Sequence, residues 1–320
     1  MKVIAIPPSL EERSFDSVAR ALVEAEGERV LFDARPVRWV DPYGMLVLLA
    51  AAEVAARAGE RPVLQLPTSA DVLSYLGRMR FFDHAEELFE MHGTVRRGRG
   101  GDGASDVLLE ITPIRSYQDI HQVLDRVNGR ALAILTSQLH YPPHEGFQFG
   151  TMLSEVCQNI LEHAQAPGWV ATQTYSRIPA LDRRVVKIGV VDLGIGFKGS
   201  LASAHAARYG DRWGDATALE AAFIHGLTRF HDPGRGQGLK QIRKQVGRWG
   251  GKVSIRSGTA RIADVPPWDD SPPLEERLPA FPGSQIGIVL PARLERGAAA
   301  GEARGVAGAT RSGRGGGGRE

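Results

Sequence analysis

The sequence predicts two folded units in one chain: an open α/β domain over residues 1–92 and an α+β sandwich over 106–293. Three observations carry this. Apolar runs with strand character alternate with helical 3/4 spacing through residues 1–92, the signature of an α/β sheet. The stretch GTVRRGRGGDGAS at 93–105 has almost no apolar anchor and reads as a linker or exposed loop. Beyond it, amphipathic helices are interspersed with paired strands, which suits helices packed on one face of a mixed sheet.

In the first unit, Val3–Ile6 reads as a strand. Ser14 is placed to cap a helix whose apolar positions Phe15, Val18, Ala19, Leu22 and Val23 share a face. A second strand follows at Arg29–Asp33. The turn Asp41-Pro42-Tyr43-Gly44 leads into the apolar helix MLVLLAAAEVAARAG, which stops at Gly59. Pro62–Leu66 reads as a third strand and Ala70–Leu76 as a helix.

In the second unit, Val107–Ile111 and Ala131–Leu135 read as strands with a helix, Gln118–Val127, between them. Phe147–Ala164 has helical spacing. Val170–Arg177 and Arg184–Val191 alternate like paired strands across a turn at Ile178–Arg183. Thr217–Leu227 and Leu239–Trp249 are expected as helices, and Lys252–Ser257 and Gln285–Leu290 as closing strands. Residues 294–320, ending GATRSGRGGGGRE, cannot bury enough apolar area to order themselves and are expected to be a disordered tail.

Composition narrows the function classes. With 42% hydrophobic and 24% charged residues the chain has globular values. Its 39 basic and 37 acidic residues leave a formal charge of +2, too little for a nucleic-acid wrapper. The single cysteine, Cys157, forbids an internal disulfide and fits a reducing compartment. No apolar run approaches the ~20 residues needed to span a bilayer, and the N-terminus lacks the apolar region and cleavage site of a signal peptide. These features predict a cytoplasmic protein without a membrane partner.

The chemistry concentrates in three segments. In Ser154-Glu155-Val156-Cys157-Gln158-Asn159-Ile160-Leu161-Glu162-His163-Ala164, helical spacing gathers Glu155, Asn159 and His163 on one side and the apolar residues on the other. Asp192-Leu193-Gly194-Ile195-Gly196-Phe197 sets a carboxylate at a strand end beside glycine backbone that a flat ligand can approach closely. Gly234-Arg235-Gly236-Gln237-Gly238-Leu239 opens a helix, where free N–H groups and the helix dipole favour phosphates. Together they offer what an adenine nucleotide with a metal needs. Rival motifs fare worse. Gly194-x-Gly196-x-x-Gly199 formally satisfies a dinucleotide fingerprint, but no parallel strand follows within a ~30-residue unit. No Gly-x4-Gly-Lys-Ser/Thr loop occurs. His140 and His144 flank Pro142-Pro143, so they cannot form a helical metal pair.

These segments, in this order, resemble the GHKL ATPase superfamily, which includes histidine kinases, type II topoisomerases and anti-sigma factor kinases. Glu155-x3-Asn159-x3-His163 resembles its N box. Asp192-x-Gly194-x-Gly196 resembles the first glycine box, and Gly234-x-Gly236-x-Gly238-Leu239 the second. Gly283-Ser284 resembles the terminal Gly-Thr. The resemblance spans roughly residues 145–292 and implies a Bergerat-type ATP-binding fold with ATP and Mg²⁺ as cofactors. It implies that Asp192 accepts from the adenine amino group, Asn159 ligates Mg²⁺, Glu155 is the general base, and Gly234, Gly236 and Gly238 with Leu239 form a lid at the phosphates. His163 would contact the nucleotide or only orient the helix end. Upstream, VLFDARPVRWVDPYGMLVLLAAA resembles the centre of a STAS domain, the fold of anti-sigma factor antagonists. In that family a turn serine accepts phosphate; here neither Pro42 nor Tyr43 is Ser or Thr.

The combined resemblance implies a Mg-ATP-binding regulatory protein, a protein serine/threonine kinase of the anti-sigma type acting on a STAS- or sigma-factor-like partner, and it allows a homodimer. Two alternatives stay open: an ATP-gated interaction module with little phosphotransfer, and a histidine kinase, for which His84 and His121 would be the acceptor candidates.

Overall fold

The computed structural model describes residues 1–94, 107–178, 181–229 and 238–293. The expected tail, and the expected linker after its first two residues, lie outside the described residues.

The N-terminal unit runs β1 (Lys2–Ala5), β2 (Ser9–Leu10), α1 (Phe15–Glu24), β3 (Val30–Asp33), β4 (Trp39–Val40), α2 (Pro42–Ala56), β5 (Val63–Gln65), α3 (Ala70–Arg78), α4 (Phe81–Leu88) and β6 (Glu90–His92). Its main sheet is parallel, in the order β1-β3-β5-β6. The second unit runs β7 (Val107–Ile114), α5 (Tyr117–Ser137), α6 (Pro143–Asn159), β8 (Gly168–Tyr175), β9 (Val185–Asp192), α7 (Gly196–Tyr209), α8 (Asp215–Phe223), α9 (Gly238–Arg248), β10 (Lys252–Gly258), β11 (Ala260–Asp264), β12 (Leu274–Glu275) and β13 (Phe281–Pro291). Its seven strands are ordered β12-β11-β10-β13-β9-β8-β7, and every pairing is antiparallel rather than mixed as expected.

Three local expectations need correction. Ala131–Leu135 is no strand but part of the long helix α5, which opens on a capping box between Ser116 and Asp119. A short run such as ALAIL has no period that separates strand from buried helix, and Gly129 does not interrupt the helix. Ser14 does not cap α1 with its side chain; its hydroxyl instead accepts from Glu11 N (2.9 Å) and closes the turn before the helix. The helix expected to reach Gly59 ends at Ala56.

The seven-stranded sheet is covered on both faces. One face packs α5, α6, α8 and α9 through Val123, Leu153, Val156, Phe223, Ile242 and Val246 against Val170, Ile188, Val190, Ile255 and Ile286. The other face packs the N-terminal unit, whose core continues through Val107, Ile111, Trp169, Ala171, Val191 and Phe281. Residues 1–92 therefore share an apolar core with one face of this sheet, separate from the core on its helical face. Between the two sheets lies α2. It is apolar on nearly every side, with half-buried Glu53 its one charged residue, as suits a helix packed on most of its surface. Pro42 occupies its first turn, and Asp41 caps it by accepting from Gly44 N (2.9 Å).

Small residues make this seat. Ala171, Gly189, Gly287 and Ser254 are register neighbours across β8, β9, β13 and β10. A Cβ on Gly189 would lie 2.8 Å from Tyr43 N and 2.9 Å from its Cα, both backbone atoms that cannot yield. On the opposite side of the turn, a Cβ on Gly44 would lie 2.1 Å from Leu10 O. Charges surround the seat. Arg256, fully buried, pairs with Asp16 (3.3 Å). Arg261 also pairs with Asp16 (2.6 Å) and with Glu275 (2.7 Å). Lys252 reaches Asp269 (3.2 Å) and Lys187 reaches Asp41 (2.9 Å). Burial works against the Lys187 ammonium, but Asp41 and Glu11 outweigh it and raise its pKa.

Candidate functional site

On the helical face, α6, α7, α8 and α9 leave a cavity of about 270 Å³ against β9 and β13. Its lining includes Glu155, Asn159 and His163 from the N-box segment, Asp192 and Gly196 from the first glycine box, Gly238 and Leu239 from the second, and Ser284. Most of the residues singled out in the sequence thus converge on one cavity. Gly234 and Gly236 lie outside the described residues. Gly194 is adjacent but structural: a Cβ there would lie 1.9 Å from Ala164 O, so only glycine lets this loop pass.

The floor is built around Asp192, the last residue of β9. Its Oδ1 accepts from Gly194 N (2.9 Å) and Ser284 N (3.2 Å). Burial pushes its pKa up to about 6, and these hydrogen bonds only partly counter the loss of water. Among the described residues no cation pairs with it. Val190, Ile160, Ala164, Phe197, Leu201 and Ile286 give the surrounding wall an apolar, flat-ligand character. A carboxylate that accepts from N–H and O–H donors beside an apolar wall suits a neutral heterocycle with an amino group.

The rim comes from the end of α6. After Asn159 the helix widens into one π turn, Ile160–Ala164, and stops at Gln165 with a left-handed φ of 58°. Single π turns often mark functional positions. This one leaves the Ala164 carbonyl free to accept from Ile195 N (3.0 Å), which ties the helix end to the Asp192 loop. His163 Nδ1 lies 3.1 Å from the buried Ser200 hydroxyl on α7. Among the described residues Asn159 Nδ2 is buried without a hydrogen-bond partner, and a 180° turn of the amide would present its oxygen to the same place. Glu155 stands at the first residue of α9: a Cβ on Gly238 would lie 2.6 Å from its Oε2. Glycine there lets the carboxylate sit against a helix N-terminus, where N–H groups point outward.

Sequence reasoning missed Ser200 and Leu201 because it saw no helix at 196–209. Gly196 and Gly199 read as loop, whereas Gly196 adopts φ 63° to begin α7 and Gly199 is tolerated inside it. Cys157 takes no part: it is buried on the packed side of α6, with its thiol pushed up to about 12 by burial. No grouping of three or more His, Cys, Asp or Glu side chains suited to a metal occurs among the described residues. No helix among the described residues is long and apolar enough to cross a membrane.

Comparison with family models, curated proteins and solved structures yields no match to this chain.

Proposed function

We propose that this chain is a Mg-ATP-binding regulatory protein, a serine/threonine kinase of the anti-sigma type with a Bergerat-like ATP-binding unit and a STAS-like N-terminal unit. The observation that carries the reading is Asp192. It is a buried carboxylate held by two backbone N–H groups at the floor of a cavity of mixed polar and apolar lining, with Asn159, Glu155 and the start of α9 grouped at the rim.

The residues present fit such a ligand. Asp192 accepts from the exocyclic amine of adenine and faces the O6 acceptor of guanine with repulsion. The Asn159 amide, whose Nδ2 has no partner among the described residues, supplies a hard oxygen for Mg²⁺ or a donor for phosphate. When bound, the metal neutralises charge that develops on the phosphates. Glu155 takes the proton of the attacking hydroxyl or water as general base. Leu239 and the N–H groups opening α9 border the phosphate side.

The histidine-kinase alternative has less support. His121 is exposed on α5 and stays available as an acceptor, whereas His84 is half-buried on α4 with Nε2 3.3 Å from Ile111 O. The turn at 41–44 is no substrate either, since Tyr43 is 4% exposed and its hydroxyl faces the inside of the molecule.

Calorimetry with ATP, ADP and GTP, followed by incubation with labelled ATP with and without cell lysate, tests the reading. Preference for adenine nucleotides and label on a partner protein are expected. Glu155→Ala should lower transfer by about 10²–10⁴-fold with nucleotide binding nearly intact. Equal affinity for GTP refutes the site, and release of free phosphate alone refutes the kinase in favour of an ATP-gated module.

A further inference from the structure

We propose that Ser257, on β10 and outside the cavity lining, is the positioning residue that sets the base selectivity of this site; the proposal rests on the adenine reading of Asp192.

Ser257 is 2% exposed, and its hydroxyl uses both capacities. It donates to Gly283 O (2.9 Å) and accepts from Phe197 N (3.1 Å). These partners belong to the two segments that frame the floor. Phe197 is the second residue of α7 and lines the cavity. Gly283 lies in β13 just before Ser284, whose N donates to Asp192 Oδ1 at 3.2 Å. One buried hydroxyl therefore clamps the loop after Asp192 to the start of β13, the strand that holds Asp192.

Both segments are shaped around this clamp. Gly196 has φ 63°, and a Cβ on it would lie 2.6 Å from Ser257 Oγ. Gly283 has φ 73°, and a Cβ on it would lie 2.0 Å from Asp192 O. Two left-handed glycines thus remove the side chains that would separate Ser257, Phe197 and Asp192. The ladder between β10 and β13 also shifts register just after Ser257↔Ser284, a bulge that re-aims side chains. A serine serving only to fill space would not need both segments bent toward its hydroxyl.

Losing the hydroxyl leaves a buried N–H and a buried carbonyl without partners, and the two segments relax apart. Asp192 then loses its fixed direction, so discrimination between an amino donor and a carbonyl acceptor weakens more than gross binding through the phosphates.

The test is calorimetry of full-length Ser257→Ala with ATP and GTP beside the unaltered protein, with thermal unfolding measured in parallel. The expected result is a fall in the ATP-to-GTP affinity ratio of about tenfold or more, with GTP affinity changed less than ATP affinity. Ser257→Thr, which keeps the hydroxyl, should restore the ratio. A lowered melting temperature with the ratio within about twofold of the unaltered protein overturns the proposal and makes Ser257 purely structural. Should Ser257→Ala fail to fold, Ser257→Cys takes its place, keeping the volume with a much weaker donor and acceptor; an unchanged ratio there overturns the proposal equally. If the unaltered protein itself shows no preference for ATP, the adenine reading fails and the proposal falls with it.

Discussion

The two faces of the seven-stranded sheet bury charge in opposite ways. On the face toward the N-terminal unit, Arg256, Arg261, Lys252 and Lys187 each meet a carboxylate from a distant part of the chain, Asp16, Asp16, Glu12 and Asp41 respectively. On the helical face, Asp192 is nearly as deeply buried but, among the described residues, has no cation, and Asn159 keeps an unpartnered amide. Paired buried charges fix one arrangement of the two halves. An unpaired buried carboxylate raises the energy of the empty site and lowers it again when a donor arrives. The same sheet thus offers a cohesive side and a receptive side, and substitutions on the two should separate stability from binding.

The largest effect is expected on the cohesive side. Asp16→Ala removes a carboxylate shared by Arg256 and Arg261, leaving buried guanidinium charge undercompensated. Breaking such a pair costs about 3–5 kcal/mol, read as a shift of the urea midpoint. Nucleotide affinity should stay within about twofold, because the two sites share no partner. A large loss of ATP affinity without loss of stability would show that the faces are not independent.

On the receptive side the sign reverses. Asp192→Asn keeps an oxygen for Gly194 N and Ser284 N but carries no charge. Its pKa in the folded protein is about 6 against the ordinary 3.8, and at 1.36 kcal/mol per unit the ionised carboxylate costs the empty protein about 3 kcal/mol at neutral pH. The variant should therefore be more stable than the unaltered protein while losing ATP affinity. Reduced stability together with intact binding would remove Asp192 from the site.

The pH dependence sharpens the same point. Between about pH 4 and 6 the folded state binds more protons than the unfolded state at Asp192. The contribution of this group to stability is therefore greatest at low pH and is lost as pH rises through about 6. ATP affinity should run the other way, rising over the same interval as the acceptor ionises. Denaturation and calorimetry at pH 5 and 7.5, compared with Asp192→Asn, isolate the effect. Parallel slopes in both variants would assign the dependence to other groups.

The receptive side was more legible in the sequence than the cohesive side, for a physical reason. Glu155, Asn159, Asp192 and Gly238 are marked by local spacing, because a helix face, a strand end and a glycine turn are each set by neighbours in sequence. Lys252, Ser254 and Arg256 alternate with Val253 and Ile255, and period-2 alternation identifies a polar face without saying what meets it. Here it meets Glu12 and Asp16, some 240 residues away. Helix α2 was legible, since an unbroken apolar run after Asp41-Pro42 signals both cap and burial. That its N-terminus rests on Gly189 and Gly287 was not, because glycines inside strands announce close approach but not by what. Helix α4 and strand β6 are too short to stand out from their surroundings.

The smallest effect concerns the connection between the halves. A Gly/Arg-rich linker suggests units that move independently, and from that view removing residues 1–92 spares ATP binding. The shared core argues otherwise: removal would bare Trp169, Val191 and Phe281 together with Arg256 and Arg261, so the truncated chain should aggregate. Cutting without removing is the cleaner test. A protease site inserted between Gly93 and Asp106 lets the full chain fold before it is nicked. Cohesion depends on α2, most of whose residues are buried between the sheets, and on the ion pairs around it. The nicked halves should therefore co-elute on gel filtration at micromolar concentration with ATP affinity unchanged. Separation of the halves would mean that the back-face charges cost more in desolvation than they return in pairing. The cohesive side would then be a regulated contact rather than a permanent one.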